Sequence, residues 1–169
     1  MPACNIMTSS CACGRVEVTA TGKPLVCVIC YCDDCQHRAR QLEELPNCPP
    51  VAGPDQGTSV ILFRKDRIAC SKGASLLKSY KLKESSATNR VVATCCNAAM
   101  YMSLDDSRHW VSAYRSRFRG DISPEQMRIC TKFAPVGVVL PADLPSYRGY
   151  PPNMMAKLVG AMIAKFIGR

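Results

Sequence analysis

Leu25-Val26-Cys27-Val28-Ile29 runs without a break into Cys30-Tyr31-Cys32-Asp33-Asp34-Cys35, and how these residues are read governs the rest of the chain. The first five are apolar and rich in β-branched side chains, which predicts a buried strand. Along a strand, residues i and i+2 point to the same side, so Cys30 and Cys32 present two sulfurs to one point. A third sulfur, Cys35, comes round if the backbone curls after Cys32, and Asp33 and Asp34 are turn-prone residues that suit such a curl. Three thiols within six residues match the preference of zinc for thiolates at about 2.3 Å in a tetrahedron. No fourth ligand is obvious nearby: His37 is close in sequence, two residues beyond the last thiol, but that spacing does not single it out as a ligand. Three protein ligands with one open position is the usual arrangement of catalytic zinc, whereas structural zinc is closed by four. A second reading is redox chemistry through Cys32-Asp33-Asp34-Cys35, which requires that C-x-x-C to open a helix inside a βαβ unit. Cys30, two residues earlier, argues for a metal over a simple dithiol.

The triplet belongs to a chain of 169 residues with twelve cysteines. Two further clusters stand out: Cys11-Ala12-Cys13-Gly14, and the adjacent pair Cys95-Cys96. Together they offer four thiols, the complement of a closed site. Adjacent strand residues point to opposite faces, so Cys95 and Cys96 share one ion only in a turn or bulge. Cys27, Cys70 and Cys130 are isolated and read as buried packing residues; Cys4 and Cys48 lie in loop-like sequence. The start of the chain, Met1-Pro2-Ala3-Cys4-Asn5-Ile6-Met7, lacks the basic-then-apolar pattern of a signal peptide. No apolar run approaches the roughly 20 residues of a membrane span. A cytoplasmic protein with reduced thiols is therefore expected, and a disulfide framework is not.

Outside the clusters, short apolar or alternating runs recur between turn signals. Strands are predicted at residues 15–20, 25–30, 59–63, 67–70, 77–83, 90–94 and 100–104, with a short helix over 36–45 and a Pro-rich loop over 46–57. This is a mostly β, mostly antiparallel domain. Asn153 to Arg169 reads as an amphipathic helix, with Asn153 as N-cap and an apolar face of Met155, Leu158, Val159, Met162, Ile163 and Phe166. The expected organisation is a zinc-binding β domain over 1–150 and a C-terminal helix over 151–169, the helix packing on the domain or on a second copy in a homodimer. Lys plus Arg is 22 against 13 Asp plus Glu, a net +9. Arg115-Ser116-Arg117-Phe118-Arg119 interleaves cations with an aromatic after Trp110 and Tyr114, a pattern that can stack on nucleobases but is more often ordinary aromatic burial beside a solvated basic segment.

The residues also carry a resemblance. Cys11-Ala12-Cys13-Gly14-Arg15-Val16, then a strand, then Cys30-Tyr31-Cys32-Asp33-Asp34-Cys35, is similar to the glutathione-dependent formaldehyde-activating enzyme family, which includes centromere protein V. That family's pattern is C-x-C-G before a strand, C-H-C-x-x-C about twenty residues on, then a strand pair and an arginine before F-C-x-x-C-G. Here Arg90 to Met100 occupies the last place, so the resemblance runs from Cys11 to Leu104. It implies a zinc-bound fold of small antiparallel sheets (β-tent) and two Zn²⁺ per chain. One would be structural, on Cys11, Cys13, Cys95 and Cys96; the other catalytic, on Cys30, Cys32 and Cys35. It also implies carbon–sulfur lyase chemistry, the reversible joining of formaldehyde to the thiol of glutathione. Tyr31 stands where the family commonly has histidine. Cys95-Cys96-Asn97-Ala98-Ala99 replaces F-C-x-x-C-G: if Cys96 matches the first cysteine, Ala99 matches the second, and Cys95 must substitute as ligand.

A thiol bound at an open zinc position is deprotonated, and that thiolate can add to an aldehyde carbon or be expelled in reverse. Three thiolates blunt Lewis acidity, which favours the thiol-binding role over activation of water. Surplus positive charge helps attract an anionic thiol such as glutathione. The competing expectation is a non-catalytic, zinc-stabilised β module that binds a protein or nucleic acid through its basic surface. No general base is evident; Tyr31, Asp33, Asp34 and His37 are near only in sequence.

Overall fold

A computed structural model describes residues 5–167. Cys4 and the last two positions of the expected C-terminal helix, 168 and 169, lie outside the described residues. The chain order is β1 (Ile6–Ser10), β2 (Glu17–Thr21), β3 (Val26–Cys30), α1 (Asp33–Glu43), β4 (Thr58–Arg64), β5 (Ile68–Lys72), β6 (Leu77–Tyr80), β7 (Thr88–Ala93), β8 (Ala98–Leu104), β9 (Trp110–Tyr114), β10 (Met127–Ile129) and α2 (Pro152–Ile167). The strands form two sheets, β1-β2-β5 and β10-β3-β4-β9-β8-β7-β6. The fold is mostly β, as expected. Among the described strands every pairing is antiparallel except β10 with β3, where Ile129 lies opposite Cys30; an isolated bridge, Arg128 with Ser146, is also parallel.

The alternation of side chains along the central strands divides the core. On β3 and β4, Val26, Val28, Cys30, Val60 and Leu62 face a core completed by Ala39 and Leu42 of α1 and Met154 and Leu158 of α2. Cys27, Ile61 and Phe63 face the opposite way, toward Met7 and Ala20 of the small sheet. The large sheet is therefore covered on both faces, which is why Thr58–Arg64 reads as a nearly continuous buried run rather than an alternating one. A third group, Cys11, Val16, Val18, Ala93, Ala98 and Met100, joins the ends of both sheets. Cys30 sits on the helix side and Cys11 between the sheets, so strand parity alone sends the two thiol clusters to different places.

Several expectations need correction. α1 begins at Asp33 with Cys32 at its N-cap, not at Gln36. Asp33 and Asp34, read as turn formers, are equally suited to the first turn of a helix, where carboxylates oppose the positive end of the macrodipole. Cys35 therefore comes round on a helical turn. The helix-opening half of the redox expectation is met, but the flanking strands β3 and β4 pair antiparallel, so there is no βαβ unit. α2 starts at Pro152, a residue whose fixed φ and missing N–H suit the first helical position; Asn153 lies inside the helix and accepts the Met154 N–H at 2.8 Å. The side of α2 that is buried is Met154, Leu158 and Ala161, while Met155, Val159, Ile163 and Phe166 are exposed.

Candidate functional site

The four outer thiols meet. Cys11 and Cys13 lie in the turn between β1 and β2, where Gly14 adopts φ +73° and closes the loop by giving its N–H to the Cys11 carbonyl at 3.0 Å. Cys95 and Cys96 lie in the four-residue turn between β7 and β8, with Asn97 left-handed at φ +53°. That turn lets two adjacent residues aim at one point. Sulfur separations are 3.6 Å for Cys11–Cys13, 3.7 Å for Cys11–Cys95 and 3.4 Å for Cys13–Cys95, and all four sulfurs fall within 4.8 Å of one another. A tetrahedron with bonds of about 2.3 Å has edges of roughly 3.8 Å, so the donor set fits zinc. Arg15 clasps the cluster: its Nε donates to Cys13 Sγ at 3.5 Å and its Nη2 to the Cys95 carbonyl at 3.1 Å. As a free thiol, Cys13 is pulled down to about 6, chiefly by the Arg15 hydrogen bond.

The inner triplet is built differently. Cys30 ends β3, Cys32 caps α1 and Cys35 sits on the first helical turn, and their sulfurs lie within 4.8 Å of one another. Hydrogen bonds from Cys30 and Cys35, with the charge of Arg90 adding, hold Cys32 down to about 3, so the first thiolate of the metal-free cluster forms there. Cys30 is pushed up by its hydrogen bonds with Cys130, Cys32 and Cys35 and by burial. The triplet borders a cavity of about 350 Å³ whose walls include Val60, Leu62, Met102, Trp110, Met154 and Leu158. The triplet opens onto space that a small molecule can enter.

Three residues near the triplet were not among the site residues expected from sequence: Arg90 and Tyr150 border the cavity, and Cys130 belongs to the same buried cluster as Cys30. Cys130 is not a packing singleton: it is left-handed at φ +59°, directly after β10, and its thiol is drawn down to about 7, chiefly by the neighbouring Cys30 thiol. It was invisible because only the β10–β3 pairing brings it there. Tyr150 borders the cavity, about half-exposed, and its ionisation is pushed up, first by burial and then by the nearby thiols. Arg90, expected from sequence in a strand and at the place of the family's arginine before the second cysteine cluster, is 3% exposed and borders the cavity.

The other sequence candidates lie elsewhere. Tyr31 points away from the triplet and donates to Asp55 Oδ2 at 2.5 Å. His37 is exposed on α1 beside Gln41; of the four nearby titratable groups only Asp34 borders the cavity. Cys27 is buried, but Cys70 is half-buried at β5. In the basic segment, Tyr114 and Phe118 are buried, Phe118 packs against Phe63 with ring centres 5.8 Å apart, and Arg115 pairs with Glu125 at 3.4 Å. Its aromatics are core residues rather than a stacking platform.

Residues 6–44 match the family model of the glutathione-dependent formaldehyde-activating enzymes. This span holds the C-x-C-G turn, β2, β3, the triplet and α1, so the chain resembles that family in the segment where its first two thiol motifs stand. The match ends before Arg90 and Cys95-Cys96. No curated protein matches the chain. A solved structure, a Rhodobacter sphaeroides protein, is similar at a TM-score of 0.48 and 16% identity, over 69% of this chain and 91% of that one. The resemblance to formaldehyde-activating enzymes suggests glutathione-related aldehyde chemistry, and both thiol clusters are compatible with the metal that such chemistry uses. Among the described residues no helix is long and apolar enough to cross a membrane.

Proposed function

We propose that this chain holds two zinc ions and acts as a carbon–sulfur lyase on glutathione-type adducts of a small aldehyde. The observation that carries the reading is the contrast between the clusters. Cys11, Cys13, Cys95 and Cys96 supply four thiols and complete a coordination sphere. Cys30, Cys32 and Cys35 supply three and face a cavity. Zinc on three thiolates supplies an open position at which a substrate thiol loses its proton. The chain's own residues do the rest: Cys32 is ionised before metal binding, Arg90 offsets the thiolate charge, and the protonated Tyr150 hydroxyl stands at the rim as a hydrogen-bond donor. Residues 1–150 form the zinc-binding β domain in this reading, and 151–169 the helix that walls its cavity. Reduced thiols on both clusters suit the cytoplasm.

Metal analysis, cobalt spectroscopy and turnover test this together. Two zinc ions per chain, a thiolate–cobalt absorption band that shifts on adding glutathione, and accelerated formation of S-hydroxymethylglutathione from formaldehyde, followed by NMR, are expected. No spectral change with glutathione, or full activity in Cys32→Ser, overturns the proposal.

One observation favours a second reading. Cys130 lies against Cys30 and would turn the triplet into a closed four-thiol site if it joined the same ion, leaving a non-catalytic zinc-stabilised β module. In that case Cys130→Ala loses an ion just as Cys35→Ser does. In the proposed reading Cys130→Ala keeps both ions, because Cys130 is outside the group whose sulfurs lie within 4.8 Å of one another.

A further inference from the structure

The domain uses only one of the two apolar faces of α2. Met154, Leu158 and Ala161 are buried, whereas a second set, 41–81% exposed, points elsewhere. Met155, Val159, Ile163 and Ile167 of this set recur every four residues, and Phe166 lies beside them. At 3.6 residues per turn they form one stripe, roughly 140° round the helix from the buried one. Scattered apolar residues on a surface are ordinary, but five in one stripe mark a contact. The stripe faces away from the β domain, so α2 can rest on a second body while still carrying the domain.

Charge identifies that body. From Leu144 to Ile167 the chain holds Arg148, Lys157 and Lys165, all exposed, and no acidic residue, in a protein of net +9. A helix is about 10 Å across and the Debye length is about 8 Å, so exposed lysines with long, bending stems still feel the surface on which the stripe lies. α2 thus offers apolar contact, cations, and nothing to repel an anionic surface. A second copy of the chain fits less well, because two such helices face to face bring like charges together with no acid on either to pair them. A stable dimer also buries roughly 800 Å² a side, some 20–30 residues, and the stripe has five. Composition disfavours a folded protein partner: such contacts concentrate on Trp, Tyr and Arg, and the stripe is aliphatic apart from one Phe. A lipid surface needs no matching shape. With 16 residues, about 24 Å, α2 is too short to span a hydrocarbon layer of about 30 Å, so it lies in the plane of the interface.

We propose that α2 seats its exposed stripe in the surface of an anionic lipid bilayer and so holds the β domain at a membrane. The thiol clusters take no part in this contact, which stands or falls apart from the lyase reading.

The zinc-loaded protein is sedimented with vesicles of phosphatidylcholine alone, and with vesicles in which one third of the lipid is phosphatidylglycerol. Binding to the anionic vesicles should be about tenfold tighter, and should weaken at about 1 M salt, where the Debye length falls to about 3 Å. Ile163→Asp places a carboxylate in the stripe and should abolish binding at unchanged Tm and zinc content. Should that variant unfold, Phe166→Ser, at the most exposed position of the stripe, should lose most of the binding instead. Exchanging both lysines, Lys157→Gln with Lys165→Gln, should remove most of the preference for anionic lipid. Absence of binding, or equal binding to both kinds of vesicle, overturns the proposal. So does undiminished binding by Ile163→Asp, which would trace the attraction to net charge alone. A dimer in sedimentation velocity that Ile163→Asp dissociates overturns it too, since the stripe would then belong to a second copy.

Discussion

Cys13 and Cys27 differ by more than their place in the sequence shows. Cys13 is exposed, and its thiolate sits against Arg15, which pulls it down to about 6. Cys27 is fully enclosed between the sheets, and burial pushes it up to about 12. After metal is stripped with a chelator, iodoacetamide at pH 7 should alkylate Cys13 early and Cys27 last, as read by peptide mass spectrometry. The folded value of Cys13 is depressed, so its thiolate contact with Arg15 is present above the ordinary thiol range and is lost as pH falls through about 6. The labelling advantage should shrink over the same interval, and Arg15→Ala should slow Cys13 labelling at pH 7. The sequence supplies the thiols but not this difference, because the Arg15 contact and the burial of Cys27 belong to turns and layers. It also supplies the triplet, whose three members are local, whereas the place of Cys130 and the burial of Arg90 depend on which strands become neighbours.

At the scale of elements, α2 is the clearest case of a pattern that was read correctly in kind and turned to the wrong side. Its apolar residues cover most of the circumference, so periodicity did not say which stripe would be buried; docking placed Met154, Leu158 and Ala161 inward. Leu158→Ala should cost about 2–5 kcal/mol, measured by denaturant unfolding, with a change in Trp110 fluorescence as the cavity wall opens. Val159→Ala, one position on and 48% exposed, should stay within about 0.5 kcal/mol. The longer strands were legible because side-chain alternation and β-branched runs mark them. β10 was not: three residues are too few to show a period, and it exists because β3 offers an unpaired edge that Met127, Arg128 and Ile129 fill in parallel.

For the molecule as a whole, the small sheet is fastened to the large one by apolar contact and by the outer thiol cluster. Phe63 is fully buried between them, and Phe63→Ala should cost about 3–5 kcal/mol, a fall in Tm of roughly 10 °C in calorimetry. On the proposed ligation, the two ions contribute unequally to stability. Cys95→Ser, which loosens the joint between two hairpin turns, should lower Tm more than Cys35→Ser, while each removes one zinc per chain by elemental analysis. Acid should release both ions, since thiol ligands bind metal only when deprotonated.

The outer cluster spans 84 residues between Cys11 and Cys95, whereas the triplet spans six, and this sets an order of events. A nascent chain holds Cys30, Cys32 and Cys35 as soon as β3 and the start of α1 have emerged, and contacts that near in sequence close fast. The four-thiol point does not exist until the β7–β8 turn has been made and carried back to the β1–β2 turn. Zinc uptake during refolding would then be biphasic, with an early equivalent independent of sheet assembly and a late one in step with it. The late ion would be captured only by chains that have already joined their two sheets, making its uptake a marker of completed assembly.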